Sequence, residues 1–142
     1  KAHDVATREL ALWCAQQPQI AQVLHPALPG APGHANWQRL CATGLARAGE
    51  PAGLAAGLFS VIVDPRYTSA QVDAFCDALK LFRLGFSWGG PISLVVPYDL
   101  AAMRSVWPAQ VAHGTLVRFS IGLEAVADLR ADLQQALHAF PV

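Results

Sequence analysis

The stretch Thr115-Leu116-Val117-Arg118-Phe119-Ser120-Ile121 decides the architecture. It alternates strictly. Val117, Phe119 and Ile121 fall on one side of an extended chain, and Leu116, Arg118 and Ser120 on the other, which is the period-2 pattern of a strand with one face in a core. Directly after it, Glu124 to Phe140 carries Val126, Leu129, Leu133, Leu137 and Phe140 at helical spacing, and Pro141 closes the element. A half-buried strand feeding an amphipathic helix points to helices laid on a sheet.

The same grammar runs upstream. Thr68 and Gln71 have the spacing of a capping box, in which each side chain satisfies the other's orphan backbone N–H. Val72, Phe75, Cys76 and Leu79 then follow at i, i+3, i+4 and i+7, one apolar stripe of a helix. Gly57 to Val63 is apolar on both faces and reads as a buried strand, closed by Asp64, Pro65 and Arg66. Phe82 to Phe86 and Ile92 to Val96 read as a pair of strands around a turn at Ser87 to Gly90, with Pro97 stopping the second. A first helix is expected from Val5 to Gln16, capped by Asp4 and stopped by Pro18. Gln19 to Leu24 leads into a turn-rich segment containing Pro26, Pro29, Gly30, Pro32 and Gly33; Trp37 to Cys41 reads as a helical turn and Ala42 to Ala56 as a mobile loop. The sum is a single α+β domain over residues 1–142: a two-layer fold with a mainly antiparallel sheet of about four strands and helices on one face.

Composition narrows the function. The formal net charge is zero and the basic residues are scattered, so an electrostatic footprint for nucleic acid is absent. No run approaches the ~18 unbroken apolar residues of a membrane span. The opening residues carry charges and no small-residue cleavage site, unlike a signal peptide; the chain begins without Met, as if mid-helix, and is expected to come from a longer protein. Charged residues make up only 14 %, against about 25 % in typical soluble domains. Either apolar surface meets another domain or subunit, or alanine inflates the apolar count. Cys14, Cys41 and Cys76 are odd in number and widely spaced, which argues against a zinc ribbon or dithiol site and fits a reducing cytoplasm.

Few residues are placed to do chemistry. Arg118 sits mid-strand, opposite the apolar side chains. Its guanidinium either reaches solvent, forms a structural ion pair, or meets an anion, for which its planar fork suits a carboxylate. In Phe86-Ser87-Trp88-Gly89-Gly90, Ser87 offers a hydroxyl and a backbone N–H, Trp88 a flat wall and one donor, and the glycines a close approach. This is either a plain turn with a packed Trp or part of a small polar-ligand site. The five histidines form no ligand set by spacing, and Lys80 at a helix end suits the helix dipole.

These segments together resemble a known family. Val23-Leu24-His25-Pro26-Ala27-Leu28-Pro29 with Pro32-Gly33-His34, Gly57-Leu58-Phe59-Ser60, Ser87-Trp88-Gly89-Gly90 followed by Ser93-Leu94, and the run Leu116-Val117-Arg118 through Ile121-Gly122-Leu123-Glu124 with Val126, Asp128 and Leu129 are similar, in that order, to motifs of bacterial cystathionine β-lyases. Those are fold type I pyridoxal-phosphate enzymes of cysteine and methionine metabolism. The resemblance implies that this chain is the small C-terminal domain, with Arg118 gripping the substrate α-carboxylate and Ser87 and Trp88 lining the same pocket. Trp88 tilts the resemblance to β-lyases over γ-synthases and γ-lyases, which usually carry leucine there. It also implies a parent that cleaves cystathionine to homocysteine, pyruvate and ammonia as a cytoplasmic homo-oligomer, with pyridoxal phosphate held by an N-terminal domain. The family's Schiff-base lysine lies upstream in a Ser/Thr-rich motif, which neither Lys1 nor Lys80 matches. No catalytic, cofactor-binding or metal-binding residue is therefore expected in this segment, and the segment alone is expected to be inactive. The chain departs from the family at Ile92, where glutamate is common, at Ala125, and in a longer stretch between Trp37 and Gly57. A non-catalytic amino-acid-binding or dimerisation module, or part of another Cys/Met metabolism enzyme of the cystathionine γ-synthase or γ-lyase type, stands as the other reading.

Overall fold

The structure is a computed structural model and describes residues 1–42 and 53–141. The elements run α1 (Ala2–Cys14), β1 (Ile20–Leu24), α2 (His34–Cys41), β2 (Leu58–Val63), α3 (Ser69–Ala78), β3 (Arg83–Leu84), β4 (Leu94–Tyr98), α4 (Leu100–Met103), β5 (Thr115–Ser120) and α5 (Val126–Ala136), with a closing 3₁₀ turn at Leu137–Ala139. Five strands form one sheet in the order β1-β2-β5-β4-β3. Every neighbouring pair is antiparallel except β3–β4, which is parallel. The α+β class holds, with one strand more than expected and a mixed sheet.

The alternation of β5 sets the two layers. Val117 and Phe119 are buried against the helices with Phe59, Val61 and Val63 of β2 and Val95 of β4. Ala6, Leu10, Ala11 and Cys14 of α1, the stripe Val72-Phe75-Cys76 of α3, and Leu129 and Leu133 of α5 close over them. Phe119 stacks on Phe59 (ring centroids 5.0 Å apart) and meets Phe82 edge-on (5.4 Å), an arrangement that adds to the area buried. Burial pushes the Cys14 thiol up to about 12 and, with the charges of Asp73 and Asp77, does the same to Cys76, so both stay protonated and inert.

The capping box of α3 is present: Thr68 Oγ1 accepts from Gln71 N–H, and Gln71 Oε1 accepts from Thr68 N–H at 2.8 Å. After α3 the chain turns under Asp132, whose buried carboxylate accepts the backbone N–H groups of Lys80, Leu81 and Phe82. That anchor delivers β3 to the sheet and leaves Lys80 exposed beside α5.

Four expectations change. Asp4 is no cap; α1 starts at Ala2, and the Asp4 carboxylate accepts from Arg8 Nε (2.9 Å) and Ala55 N–H (2.9 Å), tying the helix to the segment before β2. Ile20–Leu24 is an edge strand paired with β2. Residues 82–98 do not form a hairpin. The chain loops round through 85–93 so that Arg83 N–H and Gly85 N–H donate to Ser93 and Val95 carbonyls in a parallel ladder. Pro97 does not stop β4: it turns the same way as Val95, past the end of β3, where no donor is needed. Most of the loop expected at Ala42 to Ala56 lies outside the described residues. Among those described, no helix is long and apolar enough to cross a membrane.

Candidate functional site

Among the described residues, the second face of the sheet has no helical layer like the first. Its register places Ser60 of β2 and Val96 of β4 on either side of Arg118, and Ile62 and Tyr98 on either side of Leu116. Arg118 is half-buried and has no carboxylate partner among the described residues. Its Nη2 donates to the Ser87 carbonyl at 2.8 Å, and its Cζ lies 5.5 Å from the centroid of the Trp88 ring, within cation–π range. The structure therefore brings together Arg118, Ser87 and Trp88, the residues singled out in the sequence. One arm of the guanidinium is pinned by a neutral carbonyl, and a fork of five donors keeps others for an anion.

Ser87 acts differently from its sequence reading. Its hydroxyl donates to Gly89 carbonyl (2.9 Å) and accepts from Gly89 N–H (3.1 Å), so it shapes the turn, and its carbonyl is what meets Arg118. Gly89 takes φ +151°, a conformation open to glycine and costly for other residues. The turn presents Trp88, 74 % exposed, with Phe86 set edge-on against it (5.7 Å). An indole so open is available to a ligand or to the rest of a larger protein.

A clamp that sequence reasoning did not single out fixes this turn. Ser93 N–H and Oγ donate to the two oxygens of Glu124 (2.7 and 2.8 Å), Ser93 Oγ accepts from Gly122 N–H (2.9 Å), and Leu123 N–H donates to Pro91 carbonyl (3.0 Å). His3 Nε2–H from α1 donates to Gly90 carbonyl (3.0 Å). A side chain at Gly122 would strike Pro91 carbonyl at 2.5 Å, so only glycine lets the two segments approach this closely. Partial burial raises the Glu124 carboxyl, but the Ser93 N–H, its own N–H, the Ser93 hydroxyl and the His3 charge outweigh it and hold the group below its ordinary 4.5. Ser93 and Glu124 both fall in the motifs quoted above, which was the available signal.

Beside Arg118, an open hollow of about 470 Å³ lies against β2, β4 and β5 under α4, within the size range of small-molecule sites. Ser60, Tyr98 and Arg104 contribute polar groups to it, and Leu100, Met103 and Leu116 apolar ones. This set has no local signal in the chain, because the register that assembles it is tertiary.

Residues 1–138 match the profile of the Cys/Met metabolism PLP-dependent enzymes. A cystathionine β-lyase of Salmonella typhimurium is 41 % identical over 136 residues, covering 94 % of this chain and 31 % of that protein. An L-alanine/L-glutamate racemase of Wolbachia pipientis is 34 % identical over 142 residues, covering 99 % of this chain and 32 % of its own length. A solved structure of an O-acetylhomoserine sulfhydrylase from Wolinella succinogenes superposes with a TM-score of 0.70 at 28 % identity, over 96 % of this chain and 33 % of that one. The chain thus spans about a third of the length of its relatives. Pyridoxal phosphate requires a lysine amine for its Schiff base. The two lysines here are Lys1, at the start of α1, and Lys80, exposed beside α5 in the helical layer, and no lysine lines the hollow. Among the described residues, the Arg118 guanidinium at the margin of the hollow is able to meet an anion. On sequence and fold alike, the chain belongs to the Cys/Met metabolism PLP-dependent enzyme family.

Proposed function

We propose that this chain is the C-terminal, substrate-binding part of a PLP-dependent carbon–sulfur lyase of the cystathionine β-lyase type. The parent cleaves cystathionine to homocysteine, pyruvate and ammonia; when bound, the cofactor supplies the electron sink. The supporting observation is the Arg118 guanidinium, held by a neutral carbonyl and an indole face, without an acidic partner among the described residues, at the margin of an open hollow. A ligand carboxylate at Arg118 makes charge-assisted hydrogen bonds at a site already oriented. Trp88 walls the site, and the turn of Ser87 holds both in place. Glu124 and Ser93 act one step further out, as positioning residues. The Schiff-base lysine and the cofactor's phosphate site belong, in this reading, to an N-terminal domain. The exposed Phe86, Trp88 and Ile92 fit a face that meets that domain or a second subunit of a cytoplasmic homo-oligomer.

The test is Arg118→Ala in the full-length protein. Loss of a charge-assisted carboxylate contact costs ~2–4 kcal/mol of transition-state stabilisation, so kcat/KM for cystathionine falls by about 30- to 1000-fold. An unchanged kcat/KM removes Arg118 from the site.

A further inference from the structure

We propose that His3 is a positioning residue for Arg118, acting through the backbone of the turn on which Arg118 leans; this rests on the reading of Arg118 above. The tip of that turn is permissive. Gly89 takes φ +151°, and a side chain at Gly90 would meet nothing closer than Ser87 Oγ at 3.9 Å. Packing therefore does not fix the tip, and glycine backbone loses more freedom on ordering than any other. Bonds from distant elements have to supply the order. Pro91 and Ser93 are tied to Leu123 and Glu124. One residue nearer the tip, the Gly90 carbonyl accepts from His3 Nε2–H at 3.0 Å. A carbonyl only accepts, so the nitrogen facing it carries a proton whether the ring is neutral or charged. From Gly90 the chain runs back through Gly89, whose backbone closes on the Ser87 hydroxyl, to the Ser87 carbonyl that receives Arg118 Nη2.

The arm that carries the imidazole is itself anchored. Asp4, 4 % exposed, accepts from Arg8 Nε and from Ala55 N–H. Arg8 Nη2 donates to the Gly53 carbonyl at 2.8 Å. These bonds fix the start of α1 to the segment before β2. His3 is seated against Gly57, where a Cβ would lie 3.0 Å from the His3 Cβ and 3.4 Å from the Ile121 carbonyl. The Gly57 carbonyl in turn accepts from Ile121 N–H at 2.8 Å. Ile121 directly follows β5, the strand that carries Arg118. His3 and Arg118 therefore hold the two ends of the turn, Gly90 and Ser87, from one frame. With both in place the Ser87 carbonyl has one position, and the guanidinium is oriented before a carboxylate arrives. Without His3, binding has to order the glycine tip as well, and affinity falls.

The test is a double-mutant cycle in the full-length enzyme. His3→Leu keeps bulk against Gly57 and removes the donor; His3→Ala takes its place should the leucine variant fail to fold. The variant is expected to lower kcat/KM for cystathionine about 3- to 10-fold, mainly through KM, the range for one lost hydrogen bond. His3→Gln, whose side-chain amide can present an N–H to the same carbonyl, is expected to stay within about twofold of wild type. In the Arg118→Ala background, His3→Leu is expected to add less than about twofold, because the group it positions is gone. A purely structural His3 gives the same fold-loss in both backgrounds, and that result overturns the proposal. So does a His3→Leu enzyme as active as wild type, or a His3→Gln enzyme as impaired as His3→Leu. If Arg118→Ala alone leaves kcat/KM unchanged, the reading of Arg118 falls and this proposal with it. If Arg118→Ala is impaired and His3→Leu is not, this proposal alone falls.

Discussion

Phe119 and Arg118 are consecutive residues of β5 and face opposite sides of one sheet. Phe119 is 1 % exposed, between the rings of Phe59 and Phe82, under three helices. Arg118 is half-buried among Ser60, Val96 and a turn carbonyl, with no acid to meet it among the described residues. The helical side is apolar and complete in itself. The other side carries a fully buried Ile62 beside half-buried Leu116 and Tyr98, and an Arg118 with no carboxylate partner among the described residues, in a chain about a third as long as its relatives. One face supplies stability. The other borders the open hollow beside Arg118.

That contrast can be broken in either direction. The largest effect belongs to the helical face: Phe119→Ala removes a ring from a closed core and is expected to lower unfolding free energy by about 3–5 kcal/mol, read as a shift in denaturant midpoint. A loss below about 1 kcal/mol would place the core elsewhere. A smaller effect belongs to the clamp under the turn. Glu124 titrates lower in the folded protein than in the unfolded chain. Its contribution is therefore fully present above the ordinary carboxylate value and is lost as pH falls through the lowered folded one. Glu124→Gln is expected to be less stable than wild type near neutral pH, with the two stability curves converging as the pH drops below about 4. A gap that stays constant down to pH 2 would mean that the Glu124 charge contributes nothing to the clamp.

Much of this contrast was legible from the chain. The alternation of residues 115–121 gave both faces of β5, and the helical stripes of Val72-Phe75-Cys76 and Leu129-Leu133 are the buried ones observed. The Thr68–Gln71 cap stands as written. The β1 strand escaped because five residues after a proline, on a sheet edge, carry a weak pattern; pairing with β2 makes it a strand. The hairpin expected at 82–98 failed for a different reason. Two apolar runs around Gly89-Gly90 have hairpin grammar, but the turn is held by Arg118, Glu124 and His3, residues distant in sequence. Local signals carry no trace of such bonds. For the site, Arg118, Ser87 and Trp88 were named from their motifs, whereas Ser60, Tyr98 and Arg104 depend on sheet register, which the motifs do not contain.

The central claim is that Arg118 receives a carboxylate, and the direct measurement is a double comparison in the full-length protein. Wild type and Arg118→Ala are each assayed for affinity toward a thioether amino acid and toward the same compound with its α-carboxylate converted to the uncharged carboxamide. If the guanidinium holds the carboxylate, wild type prefers the acid by at least about 30-fold and the variant loses that preference to within about threefold. If the preference survives intact in Arg118→Ala, the carboxylate sits elsewhere and the site built around β5 is wrong.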